Sequence, residues 1–185
     1  MVMRPGLRRV ALTVHVLCSV GWIGAAAAYL ALGIAAQTSN RAPTVRAASM
    51  AMDITGWYVI VPLGVTALLT GLLMSVGTRW GLIRHYWVLI ALILTSFSLA
   101  VLILHMPSVT ATAMQAITAD DATVTQLEGD ILHPAGGIAI LLVVAVLNIY
   151  KPRGLTRHGQ RRVADDQHRA TGRPTGPGST GAAPI

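Results

Sequence analysis

The feature that most limits what this chain can fold into is its first apolar run, Leu7 to Ala36, which has no charged residue after Arg9 yet holds His15 a few positions inside its basic flank. The run exceeds the ~20 residues that carry a helix across a bilayer. An imidazole at that depth must find its hydrogen-bond partner on a neighbouring helix, because lipid offers none. At about 100° per residue, His15, Ser19, Trp22, Ala26, Tyr29 and Gly33 fall on one stripe with Cys18 at its edge, and Gly21, Gly24 and Ala28 lie roughly opposite. The first stripe reads as a polar and aromatic packing face. The second is a small-residue surface that admits close approach of another membrane helix, from a second copy or from a membrane-protein partner. Arg4, Arg8 and Arg9 before the run also fit a secretory signal, but the apolar stretch is about twice the usual signal core, so a retained anchor is expected.

Composition agrees. With 54% hydrophobic and 11% charged residues, the chain treats the bilayer as its solvent. Its net charge of +7 does not point to nucleic acid, since the basic residues sit at the ends of apolar runs and are not interleaved with aromatics. The lone Cys18 rules out an internal disulfide.

Four spans follow in order, at about residues 7–36, 54–76, 86–104 and 135–150. Ala42-Pro-Thr44 starts a helix that feeds the second span, Asp53 marks its polar boundary, and Pro62 inside it is expected to bend it. The short connection Gly77 to His85 forces the second and third spans antiparallel. Ala91, Thr95, Ser98 and His105 share a stripe of the third span, which Pro107 is expected to close. Ser108 to Asp130 reads as polar, acidic and partly helical near Thr110 to Ile117. Pro134 suits the first position of the fourth span, with His133 just outside. The fold class is therefore all-α, a polytopic membrane protein built as a four-transmembrane-helix antiparallel bundle. Its membrane domain covers residues 1–152, and residues 153–185 form a disordered basic cytoplasmic tail.

Of the 14 Lys and Arg, all but Arg41 and Arg46 fall on the side of the N-terminus, the 77–85 connection and the tail. The positive-inside rule makes that side cytoplasmic. The expected location is the cell membrane, multi-pass, with both termini cytoplasmic and the tail near anionic lipid. Trp80, Tyr86, Trp87 and Tyr150 mark the inner interface, and Trp57 and Tyr58 the outer.

His15 with Val20-Gly-Trp-Ile-Gly24, the stretch Gly77 to Val88, His133-Pro-Ala-Gly-Gly137 and Tyr150 to Arg157 together resemble a family of small bacterial four-helix integral membrane proteins of unknown function. The resemblance spans about residues 7–157 and implies a bacterial inner-membrane protein, with no catalytic residues to carry over. The spacing of His15, Trp22 and Gly24 alone is similar to the copper-resistance membrane protein of the D type, which implies copper handling.

The histidines carry what chemistry there is. His15 and His85 lie toward the inner side, His105 and His133 at the outer boundary, so each pair comes from different helices. Such pairs can ligate one haem b iron inside a bundle. Against this, Thr70 or Asn148 can satisfy a neutral His15, and His105 and His133 can simply be solvated. Asp130, three residues before His133, is the carboxylate placed to share a metal, although no full ligand set can be read. Phosphate loops, nucleophile elbows and mid-depth carboxylate pairs are missing. The sequence thus favours a non-enzymatic structural or accessory membrane subunit, with a bis-histidine haem electron carrier as the alternative. Reporter fusions test the topology: junctions after Gly77 and Tyr150 should report the cytoplasm and one after Asp121 the outside, and an outside signal at Gly77 would overturn the arrangement.

Overall fold

The computed structural model describes residues 3–77, 86–127 and 129–150, and all regular structure among them is helical. Helix α1 spans Pro5–Thr38, α2 Ala42–Thr55, α3 Val61–Gly77, α4 Tyr86–Thr118, α5 Asp121–Val124 and α6 Leu132–Tyr150. A π-helical turn, Gly56–Ile60, joins α2 to α3 in one continuous rod. Four stretches are long and apolar enough to cross a membrane: α1, the α2–α3 rod, α4 and α6. The protein is an all-α, multi-pass bundle. His85 and the tail from Lys151 lie outside the described residues.

Helix α1 packs on α2, α3 and α6, and α4 packs on the same three, so α1 and α4 occupy opposite corners. The stripe read from the sequence is the buried one: Trp22, Ala26, Tyr29 and Gly33 all face inward. Trp22 and Tyr29 join Met52, Ile60, Leu99, Met106 and Leu141 in the main core. Polarity is inverted outside it, with Leu17, Leu104 and Ile149 exposed to the extent of 67%, 80% and 74%, as lipid-facing side chains should be.

Length divides the bundle into two zones. Helix α6, with 19 residues, just crosses a hydrocarbon core of ~30 Å, whereas α1 and α4, with 34 and 33 residues, reach about 50 Å. Their excess lies at the end where α6 begins, here termed the upper end. There the end of α1, α2 and α5 build a second small core from Ala36, Ala42, Val45, Ala48 and Val124. Arg46 ties this zone together. Its guanidinium donates to the Ala116 and Ala119 carbonyls, satisfying orphan acceptors at the end of α4, and pairs with Asp121.

Both interior prolines behave instructively. Pro62 has no N–H, and its ring crowds the carbonyl four residues back; the helix widens just before it, so that the Val61 N–H reaches the Gly56 carbonyl in a five-residue bond. Gly56 also leaves room for the Met106 side chain, which a β-carbon there would strike. Pro107, expected to close its helix, instead lies inside α4, which continues to Thr118. The reason is packing: Met106, Val109, Ala113 and Ala116 keep one buried stripe at helical spacing across the proline, and α2 covers it. The Ser108 and Thr112 hydroxyls donate back to the His105 and Ser108 carbonyls, as is usual around a proline in such helices. Helix α6 begins at Leu132, not at Pro134, so His133 stands in its first turn, where a proline one residue later costs no hydrogen bond.

The connection from α5 to α6 descends onto α1 through two glycines. A β-carbon on Gly33 would fall on the Asp130 carbonyl, and one on Gly129 would fall on the Gly33 carbonyl. The Gly129 N–H donates to Gln37 Oε1 at 2.6 Å, which fixes the descent. Gly33→Val should therefore lift the connection and lower stability by about 1–3 kcal/mol. Gly24→Val, whose β-carbon would meet nothing within 4 Å, should be close to neutral. Thermal unfolding in detergent checks the pair, and equal midpoints would show that the glycine contact does not hold the connection down.

Candidate metal centre

The connection delivers Asp130 between two histidines from different helices. His105, on α4, donates from Nε2 to Asp130 Oδ2 at 2.7 Å, and His133, in the first turn of α6, donates from Nδ1 to Asp130 Oδ1 at 3.0 Å. The His133 backbone N–H leans on the same oxygen at 3.4 Å, so the carboxylate also serves the start of α6. The imidazole rings stack, with centroids 3.6 Å apart and planes 17° from parallel. Asp130 and His105 are well covered, their side chains 17% and 21% exposed, while His133 is half exposed. Ser108 Oγ lies 3.2 Å from His105 Nδ1, so both nitrogens of that ring are engaged.

One candidate donor atom from each of His105, Asp130 and His133 lies within 4.8 Å of the other two. The cluster also sits between two cavities. One, of about 250 Å³, lies below it among α1, α4 and α6, lined by Trp22, Tyr29, Leu102 and Leu141. The other, of about 300 Å³, lies above it toward the small core, beside Ser49, Ser108 and Thr112. All three residues line both cavities, so the cluster is the partition between an apolar space and a polar one.

The other candidate residues are placed differently. His15 is 18 positions below Gly33, about 27 Å along α1. Its Nδ1 donates to the Ala67 carbonyl at 2.9 Å and approaches Thr70 Oγ1 at 3.2 Å. Thr70 is thus the partner the sequence offered, while Asn148 donates to Val144 within its own helix. Gly71 makes the room, since a β-carbon there would press on the His15 ring. His105 and His133 meet face to face with a carboxylate bridging them, whereas axial ligands of one haem stand on opposite faces of a macrocycle. Gly21 packs against Leu63 of α3, but Gly24 and Ala28 face outward.

The chain was compared with protein-family models, curated proteins and solved structures, and none matches. The residues of the copper-resistance likeness do not join the cluster: His15 is bonded to α3, Trp22 lines the lower cavity and Gly24 faces open space. Sequence reading had each part of the centre, with Asp130 and His133 three apart and His105 at the same boundary, but not the fold of the connection that brings them together. If the His15 bond is structural, His15→Gln should be milder than His15→Leu, with a penalty on the order of 0.6–2 kcal/mol for the latter. Unfolding of both variants measures this, and equal neutrality would remove the structural role.

Proposed function

We propose that this protein is a non-enzymatic, metal-handling membrane protein that binds one first-row transition-metal ion through His105, Asp130 and His133. The observation that carries this reading is the convergence of two imidazoles and a carboxylate, from two helices and a connection held by glycines, at the partition between two cavities. Two nitrogens and one oxygen form a borderline donor set suited to Zn²⁺ or Cu²⁺, and three protein ligands leave a coordination position open. In a tetrahedral site with bonds of about 2 Å the donors stand about 3.3 Å apart. One donor atom from each of the three residues lies within 4.8 Å of the other two, so a closure of about an ångström would bring them to such edges. With a metal on Nε2, the Nδ1–H of His105 would donate to Ser108 Oγ, the outer contact that fixes the tautomer of a ligating histidine.

The distribution of Lys and Arg supports cytoplasmic termini, which would put this centre at the outer face of the cell membrane. Gly24 and Ala28, exposed on α1, suit contact with a partner helix, the accessory side of the same proposal. Equilibrium dialysis of the detergent-solubilised protein should give one Zn²⁺ or Cu²⁺ per chain, Cu²⁺ the tighter. Asp130→Asn and His133→Ala should each weaken binding at least tenfold. The bound ion should raise the thermal midpoint of the native protein and not of the variants. A native protein without one-to-one binding, or a His133→Ala variant of unchanged affinity, overturns the proposal.

A further inference from the structure

The lower cavity has a depth and a polarity that the metal centre does not use. Its lining on α6 runs from Leu132, the first residue of that helix, to Leu141, a rise of about 14 Å. Helix α6 is just long enough for a hydrocarbon core of ~30 Å, so Leu132 stands at the upper edge of that core and Leu141 near its middle. The cavity therefore runs the depth of one leaflet. Its walls over that depth are apolar, formed by Trp22, Val101, Leu102 and Ile140.

On one side the wall is missing. Phe97 of α4 and Leu132 of α6, 56% and 81% exposed, edge the cavity. Gly136 and Gly137 line it as well, and a β-carbon on either would meet nothing within 4 Å, so α6 presents bare backbone there. Both edging helices are membrane spans, and what lies beyond the opening is lipid.

The upper end of the cavity is polar. Tyr29 packs its ring beside Gly56, at the level where Met106 enters and one residue from His105. The residue is only 4% exposed, yet its hydroxyl has no hydrogen-bond partner among the described residues and, unlike the Ser98 oxygen, is not covered. Its open side is the cavity that it lines. A neutral phenol is a donor, and one left unpaired in an apolar space costs free energy comparable to a lost hydrogen bond. A plain hydrocarbon offers it no acceptor, whereas the ester carbonyl at the head of an acyl chain does.

We infer that the lower cavity holds one acyl chain of a phospholipid from the upper leaflet, entering across Gly136 and Gly137, with its ester carbonyl accepting from the Tyr29 hydroxyl. The chain lies against Trp22 and fills the apolar space beneath His105, Asp130 and His133. The inference is independent of the metal, and its test is run with chelator present so that the two readings fail separately.

The full chain is reconstituted in bilayers of a phosphatidylcholine brominated midway along its chains, bromine being a short-range quencher of tryptophan. Trp22 is 4% exposed, so lipid outside the bundle does not touch it, whereas a chain in the cavity does. Its emission, taken as the difference between the native chain and Trp22→Phe, should fall by more than half relative to unbrominated lipid. Gly137→Leu should fill the opening and restore most of that emission. A liquid alkane of equal chain length, added as competitor, should displace the brominated chain about fivefold more readily from Tyr29→Phe than from the native protein, the loss of one hydrogen bond. Circular dichroism reports that the variants remain folded. Unquenched Trp22 in the native protein, or quenching that Gly137→Leu leaves unchanged, would show that no lipid chain enters and overturn the inference. Equal displacement from Tyr29→Phe and the native protein would overturn the ester contact and with it the assignment to a phospholipid.

Discussion

The upper end of this bundle depends on the close approach of two backbones, the Gly33 turn of α1 and the Gly129–Asp130 segment. Neither tolerates a side chain, because a β-carbon on Gly33 would fall on the Asp130 carbonyl and one on Gly129 on the Gly33 carbonyl. That contact sets how far the connection before α6 can descend, and so the depth at which the Asp130 carboxylate arrives. Once there, the carboxylate links α4 to α6 through His105 and His133. A charge in that position would be costly alone, but two imidazoles and a backbone N–H share it.

Below that level the molecule follows the rule that lipid enforces, that polar groups be satisfied within the protein. Thr66 and Thr70 return their hydroxyls to their own helix, and His15 crosses from α1 to the Ala67 carbonyl of α3. Against that regularity Ser98 is informative, since it has the same chemistry and no partner. Its residue lies on the stripe that also carries His105 and lines the lower cavity, while its oxygen is itself covered by the surrounding helices.

The α2–α3 rod shows how local strain is absorbed. Pro62 removes a donor inside a span, and the helix answers with a π turn whose Gly56 also receives Met106 from α4. A helix that simply broke there would leave carbonyls in lipid, so the widened turn is the cheaper solution. Above it, Asp53 accepts from Thr110, which in turn accepts from Trp57, joining α2 to α4 just where the rod enters the bilayer.

From the sequence by itself came the class of the protein and the buried face of its first helix. Apolar run length fixes the number of spans, and helical periodicity places Trp22, Ala26, Tyr29 and Gly33 together, because both are local properties of the chain. The partnership of His15 with Thr70 was legible for the same reason, since equal depth in antiparallel spans brings them level. Pro107 misled, because a proline's local preference yields where a buried stripe continues on both sides of it. The cluster of His105, Asp130 and His133 and the lower cavity were decided only by the tertiary structure. Asp130 lies in an irregular segment with no periodicity to place it, and its position follows from a glycine contact with α1, nearly a hundred residues away in sequence. A cavity, likewise, is the volume that three helices fail to fill, and no single helix's pattern records it.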